Sequence, residues 1–179
     1  MSTKSEIRRK KLTAIAELCE EYINESDRII AEKLFDLPQY KNAKTVFAYY
    51  SVGREVSTRE IIKKALADGK KLALPVCEGN GIMHFELCSD ISSLHSGAYG
   101  IKEPHDMQTV CPGKDDIVLV PAVCVDRNNA RLGHGMGYYD RYLSQYACMS
   151  VCLARELLIE EKLPTEAHDI DVDTVITEK

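Results

Sequence analysis

Apolar residues recur at helical spacing early in the chain. Leu12, Ile15, Cys19 and Tyr22 predict one long amphipathic helix over Ser5–Asn24 with a basic first turn. Ser26 reads as the N-cap of a second helix running through Phe35. The β-branched and aromatic run Lys44–Tyr50 predicts a strand. Ser57-Thr58-Arg59-Glu60 has the capping-box pattern, and Ile61, Ile62, Ala65 and Leu66 carry a helix that stops at Gly69. Two more strands follow, Lys71–Val76, ended by Pro75, and the alternating Ile82–Leu87. Ser96–Gly113 is rich in Gly, Pro and His and reads as a loop. Asp116–Val125 is a continuous apolar run, as expected of a central strand buried on both faces. After a loop, Tyr138–Tyr146 predicts a helix, Met149–Ala154 a buried strand, Arg155–Glu161 a short helix and Thr174–Ile176 a last strand. Strands alternating with helices imply parallel βαβ units. The expected fold is α/β, a three-layer α/β/α sandwich with a mostly parallel central sheet. Ligands in such folds sit beyond the carboxyl ends of the strands, which points to the loops after Tyr50, Val76 and Val125.

Composition narrows the function classes. A chain of 179 residues, 45% hydrophobic and 28% charged, is read as one domain spanning 1–179. With 23 Lys+Arg against 28 Asp+Glu the net charge is −5, which lacks the basic footprint of a nucleic-acid binder. Pro121 interrupts the longest apolar run, far short of the ~20 residues of a membrane span. The basic start MSTKSEIRRKK leads into an amphipathic stretch rather than an apolar one, so no secretory signal is read; Glu6, Glu17, Glu20 and Glu21 argue against an organelle transit peptide. Seven cysteines with no C-x-x-C pair indicate neither a disulfide framework nor a zinc ribbon, and are expected to be mostly buried thiols of a reducing cytoplasm.

The chemistry concentrates in Pro121–Leu143. An Asp (Asp126) ends the strand, and Gly133, Gly135 and Gly137 then alternate up to a helix start. Such glycines expose successive backbone N–H groups that can cradle phosphate, and Arg131 adds a guanidinium fork suited to phosphate oxygens. The same glycines would also serve as a plain turn between strand and helix. No Gly-Lys-Ser/Thr follows, so this is not a Walker A loop, and the spacing does not match the dinucleotide fingerprint.

RLGHGMGYYDRYL, following VPAVCVD, resembles the signature of the 5-formyltetrahydrofolate cyclo-ligase family, R-L-G-x-G-x-G-Y-Y-D-x-Y-L after a V-P-x-x-x-x-D strand. Other stretches agree in order: Lys4 and Arg8 in a K-x-x-x-R first helix, YYSVGREVSTREII with Glu55 before Thr58, GAYGIKEP with an aromatic-x-I-x-x-P element from Tyr99 to Pro104, and the LPTEAHDIDVD ending. The resemblance covers nearly the whole chain. It implies an ATP- and Mg²⁺-dependent ligase that converts 5-formyltetrahydrofolate to 5,10-methenyltetrahydrofolate with release of ADP and phosphate, through a phosphorylated formyl group. Its partners are then the folate and ATP, with neither nucleic acid nor membrane, and a cytoplasmic monomer is expected.

The resemblance also implies roles. Lys4, Arg8, Arg131, Leu132, Gly133, His134, Gly135, Met136, Gly137, Tyr138 and Tyr139 would hold ATP, with Arg131 catalytic. Tyr50, Glu55 and Tyr99 would hold the folate, together with His134, Gly135, Met136, Gly137 and Tyr138. Asp140 and Asp169 would approach Mg²⁺. Without the resemblance, Lys4 and Arg8 are a solvated helix start, Asp140 complements a helix dipole, Glu55 is a surface acid and Tyr50 packs at a strand end. The chain departs from the family at two points. Met136 brings no charge to phosphate, and Tyr99 stands where Trp is frequent, the chain having no Trp. A regulatory, non-catalytic member that binds nucleotide or folate is the alternative; sugar-phosphate isomerases and acyl-CoA transferases also use sandwiches of this kind.

Overall fold

A computed structural model describes residues 2–97, 100–104 and 108–179. Tyr99, expected against the folate, lies outside the described residues. The expected α/β class is observed. Seven strands form one sheet: β1 (Thr45–Phe47), β2 (Lys71–Gly79), β3 (Ile82–Leu87), β6 (Thr109–Val110), β7 (Ile117–Val120), β10 (Met149–Leu153) and β11 (Thr174–Ile176). Their order is β11-β10-β7-β1-β2-β3-β6, parallel from β11 to β2, with β3 and β6 added antiparallel. Two small ribbons pair β4 (His95–Ser96) with β5 (Lys102–Glu103), and β8 (Cys124–Val125) with β9 (Arg131–Leu132).

The period of two sorts each central strand between two cores. Val46, Leu72, Leu74, Ile117, Leu119, Val151 and Leu153 pack with helices α2 (Glu20–Asp36), α3 (Pro38–Asn42) and α4 (Arg59–Ala67). Phe47, Ala73, Val118, Val120 and Cys152 pack on the other face with Tyr142 and Leu143 of α5 (Tyr138–Leu143). These are the three layers. Helix α1 (Lys4–Glu17) belongs to neither face. Its Ile7, Ala14 and Ile15 pack on a satellite cluster formed by Cys124, Ala130, Leu132, Leu158 and Leu163, so α1 lies over the β8–β9 ribbon.

Several expectations are corrected. The long first helix breaks at Leu18 and Cys19, both extended, and the Leu18 carbonyl freed by the break accepts from Arg54 Nη1. Ser26 is not a cap but sits inside α2, buried, its Oγ accepting from Arg155 Nε. Thr58, not Ser57, precedes α4, and no side chain caps it. The Thr58 hydroxyl instead donates to the Tyr49 carbonyl at 2.6 Å and accepts from Ser51 N–H at 3.1 Å. The Asp116–Val125 strand splits at Pro121; β7 stays in the sheet and β8 turns out to pair with β9. Pro75 does not end β2, which runs to Gly79; it lies past Ala73, the last residue paired with β1, so its missing N–H costs that ladder nothing. The predicted helix over Arg155–Glu161 is one 3₁₀ turn, Glu156–Leu158. Among the described cysteines Cys88, Cys124 and Cys152 are buried, while Cys19 and Cys111 are exposed, and no disulfide joins any two of them. No helix of the described residues is long and apolar enough to cross a membrane.

Candidate functional site

A cleft of about 650 Å³ opens at the carboxyl ends of β1, β2, β7 and β10. Lys4, Arg8, Tyr50, Glu55, Asp169 and every residue from Arg131 to Asp140 line it, so the sequence-predicted site residues that are described all meet in one cavity. They come from four places far apart in the chain. The fold brings them together by laying α1 across the ribbon and by turning β8–β9 out of the sheet at Pro121.

One wall is the glycine loop. Gly135 has φ +100° and Gly137 φ +66°, conformations that a Cβ disfavours. Among the described residues, no backbone acceptor takes the N–H groups from Gly133 to Gly137. A run of amides left open in this way is suited to cradle an anion such as phosphate. Arg8 reaches across from α1. Its Nε donates to the Gly133 carbonyl at 2.8 Å, and a Cβ on Gly135 would meet its guanidinium at 3.3 Å. From the other side Arg141 clamps the loop: Nε donates to the Gly81 carbonyl at 2.8 Å and Nη2 to the Met136 carbonyl. Gly81 belongs to the β2–β3 hairpin, where Asn80 and Gly81 both have positive φ.

The second wall holds charge below the surface. The Arg131 side chain is 4% exposed, and its Nη2 donates to Asp140 Oδ1 at 2.9 Å. Its Nε is buried with no hydrogen-bond partner among the described residues. Arg131 also lies 6.0 Å from the centre of the Tyr139 ring. Burial raises the Tyr139 phenol well above its ordinary value, and the Glu55 charge adds to this. Asp140 Oδ1 also accepts the Ile170 N–H at 3.1 Å, whereas Oδ2 has no partner among the described residues. One free carboxylate oxygen beside the open Gly133–Gly137 amides fits Mg²⁺, which takes one or two carboxylates and fills its shell with other oxygens and water.

Asp169 fits that ion less well. Glu166, His168 and Asp169 could converge on a cation, but the cation among them is the ammonium of Lys4, 2.6 Å from Asp169 Oδ2 and 2.9 Å from Glu166 Oε2. Asp169 Oδ2 also accepts the Glu166 N–H at 2.6 Å. Burial opposes the Asp169 charge, yet Lys4 and this N–H hold its carboxyl below the usual range. Sequence reasoning assigned nothing to Glu166 or His168; both line the cleft, and only the Lys4 contact across 162 residues places Glu166 there.

Glu55 stands in the Ser51–Thr58 loop after β1. Its Oε2 accepts the Val52 N–H at 2.8 Å, and Oε1 faces His134 Nε2 at 3.7 Å. The loop is strapped by the Ser51–Thr58 pair and by Tyr49 Oη donating to the Val56 carbonyl at 2.9 Å. Tyr50 lines the cleft with Arg59 stacked 5.1 Å from its ring centre. Beneath the loop, Arg155 pairs with Asp27. Burial pushes the Asp27 carboxyl above the usual carboxylate range, against the lowering pull of Arg155 and the Ser57 N–H. Asp126, which ends the strand before the glycine loop, is not at the cleft. It is buried and accepts the N–H groups of Asn128, Ala130 and Leu163, which shapes the turn of the β8–β9 ribbon.

Comparison with known proteins agrees with the geometry. Residues 1–178 match the 5-formyltetrahydrofolate cyclo-ligase family. A 5-formyltetrahydrofolate cyclo-ligase of Saccharomyces cerevisiae is 31% identical, with 98% of this chain and 95% of that one covered. A probable 5-formyltetrahydrofolate cyclo-ligase of Schizosaccharomyces pombe is 28% identical over 97% and 94%. The structure of an Aquifex aeolicus 5,10-methenyltetrahydrofolate synthetase superimposes with a TM-score of 0.86 at 35% identity, covering 98% of this chain and 90% of that one.

Proposed function

The chain belongs to the 5-formyltetrahydrofolate cyclo-ligase family, and on that premise we propose that it closes the methenyl bridge of 5-formyltetrahydrofolate at the expense of ATP. The observation that carries this reading is the pairing, in one cleft, of a row of open amides from Gly133 to Gly137 with the Glu55 carboxylate beside it. A phosphate nest alone suits many nucleotide binders. A carboxylate at its edge gives the second substrate a place to be recognised.

The chemistry requires both. The formyl oxygen of an amide is a poor leaving group as hydroxide. It attacks the γ-phosphoryl of ATP, ADP leaves, and the oxygen becomes part of a phosphate ester. The neighbouring N10 then adds to the activated carbon and gives up its proton, and phosphate departs with both electrons of the C–O bond. Catalysis is mostly in-line positioning and neutralisation of developing charge. Arg8 and the Gly133–Gly137 amides hold the phosphates, and Arg131 places its buried charge behind them. Lys4, held by Asp169 and Glu166, lines the same cleft as a third cation. Bound Mg²⁺ would supply charge neutralisation to the transferring phosphoryl group, with Asp140 as its carboxylate. Glu55 accepts N–H bonds from the pterin edge, and Tyr50 packs on the ring system.

The test is growth of the methenyl absorbance band in purified protein given 5-formyltetrahydrofolate, with and without Mg·ATP. ATP-dependent growth is expected. Absence of product from protein that still binds ATP by thermal shift would leave a binding-only member of the family.

A further inference from the structure

The Glu55 loop is anchored from below by a side chain that no step of the proposed reaction uses. Arg155, just past β10, is 1% exposed. Its Nη1 donates to the Arg54 carbonyl at 2.9 Å and its Nη2 to the Glu55 carbonyl at 3.4 Å. These carbonyls belong to the two peptide groups on either side of the Glu55 Cα. The rest of the guanidinium is fixed by α2: Nε donates to Ser26 Oγ at 3.0 Å and Nη2 to Asp27 Oδ1 at 2.5 Å. One rigid planar fork therefore sets the direction of the Glu55 Cα–Cβ bond relative to the α2 layer. An ammonium could not meet these acceptors together.

Stability alone is a poor account of the arrangement. A buried ion pair is often no better than apolar residues of the same volume, because desolvation offsets its attraction. What apolar residues cannot do is hold two consecutive carbonyls. We propose that Arg155 is a positioning residue for the folate: it fixes the peptide groups around Glu55 and so sets where that carboxylate meets the pterin, leaving the nucleotide side of the cleft unaffected. This rests on Glu55 being the folate contact.

The experiment compares the full-length protein with three variants: the double variant Asp27→Leu/Arg155→Met, which leaves no orphaned charge, Arg155→Lys and Glu55→Gln. The readouts are KM for the folate, KM for ATP, kcat and melting temperature. The double variant is expected to fold and to raise the folate KM about ten- to a hundredfold, with the ATP KM unchanged within about twofold. Arg155→Lys, which keeps a cation beside Asp27 without the fork, is expected to fall between. A folded double variant with an unchanged folate KM, or with both KM values raised alike, overturns the proposal. If the double variant does not fold, Arg155→Lys decides by the same split. The Glu55→Gln arm separates the two failures. If it raises the folate KM and the Arg155 variants do not, only the positioning role falls; if it leaves the folate KM unchanged, the Glu55 assignment falls and the proposal with it.

Discussion

Arg131 holds a charge at 4% exposure and pairs it with a carboxylate that keeps one oxygen open. A buried guanidinium works at low local dielectric, where its field on a developing phosphoryl charge is strong and needs no reorganisation. Arg131→Ala is expected to lower kcat about 10²–10³-fold, the usual loss for one preorganised charge stabiliser. Near-normal turnover in a folded variant would remove Arg131 from the site. On the proposed reading, Glu55 acts on binding rather than on phosphoryl transfer. Glu55→Gln should raise the folate KM with little change in the ATP KM, and initial rates over a matrix of both substrates read this directly.

At the scale of elements, the glycine loop is held from both ends, by Arg8 of α1 and by Arg141 of α5. Its freedom is used up by backbone geometry. Gly135→Ala places a Cβ 3.3 Å from the Arg8 guanidinium at a φ of +100°. Strain of that kind costs on the order of 1–3 kcal/mol. The variant should melt several degrees lower and bind ATP more weakly, by thermal melting and by titration with nucleotide; an unchanged affinity would mean that the loop does not hold the phosphates. The pattern of apolar positions foretold α4, β3, β11 and most of β2 and β10, because each buries a regular face on one side or both. It missed the break in the first helix. Leu18 and Cys19 are neither Gly nor Pro, and the bond that favours the break comes from Arg54, 36 residues away.

Across the whole molecule, α1 is tied to the C-terminal segment by charge as well as by its apolar packing on Leu158 and Leu163. Lys4 meets Asp169 and Glu166, and Lys11 meets Glu160 at 2.8 Å. The Asp169 pKa is lowered in the folded protein, so this contact stabilises above the ordinary carboxylate value and is lost as pH falls through the lowered one. Lys4 is opposed by burial but raised on balance by the same carboxylates, so its share is lost only as pH rises past its ordinary value of 10.5. Lys4→Met should therefore lower the melting temperature most between about pH 5 and 9, with the difference from the native protein closing toward about pH 3. A melting difference that stays constant down to acid pH would show that the contact contributes nothing.

The sequence by itself determined the α/β class, the alternating core of the sheet and the row of open amides at Gly133–Gly137. These are written in local spacing: period two for strands, three to four for helices, alternate glycines for exposed amides. Only the tertiary structure decided that Lys4 neutralises Asp169, that Asp126 shapes a turn rather than the site, that β8 leaves the sheet at Pro121, and that Arg155 underlies Glu55. The reason is physical. A buried polar group takes whatever partner the fold brings within about 3 Å, and a partner as distant as Leu163 from Asp126, Glu55 from Arg155 or Lys4 from Asp169 leaves no mark on the local pattern.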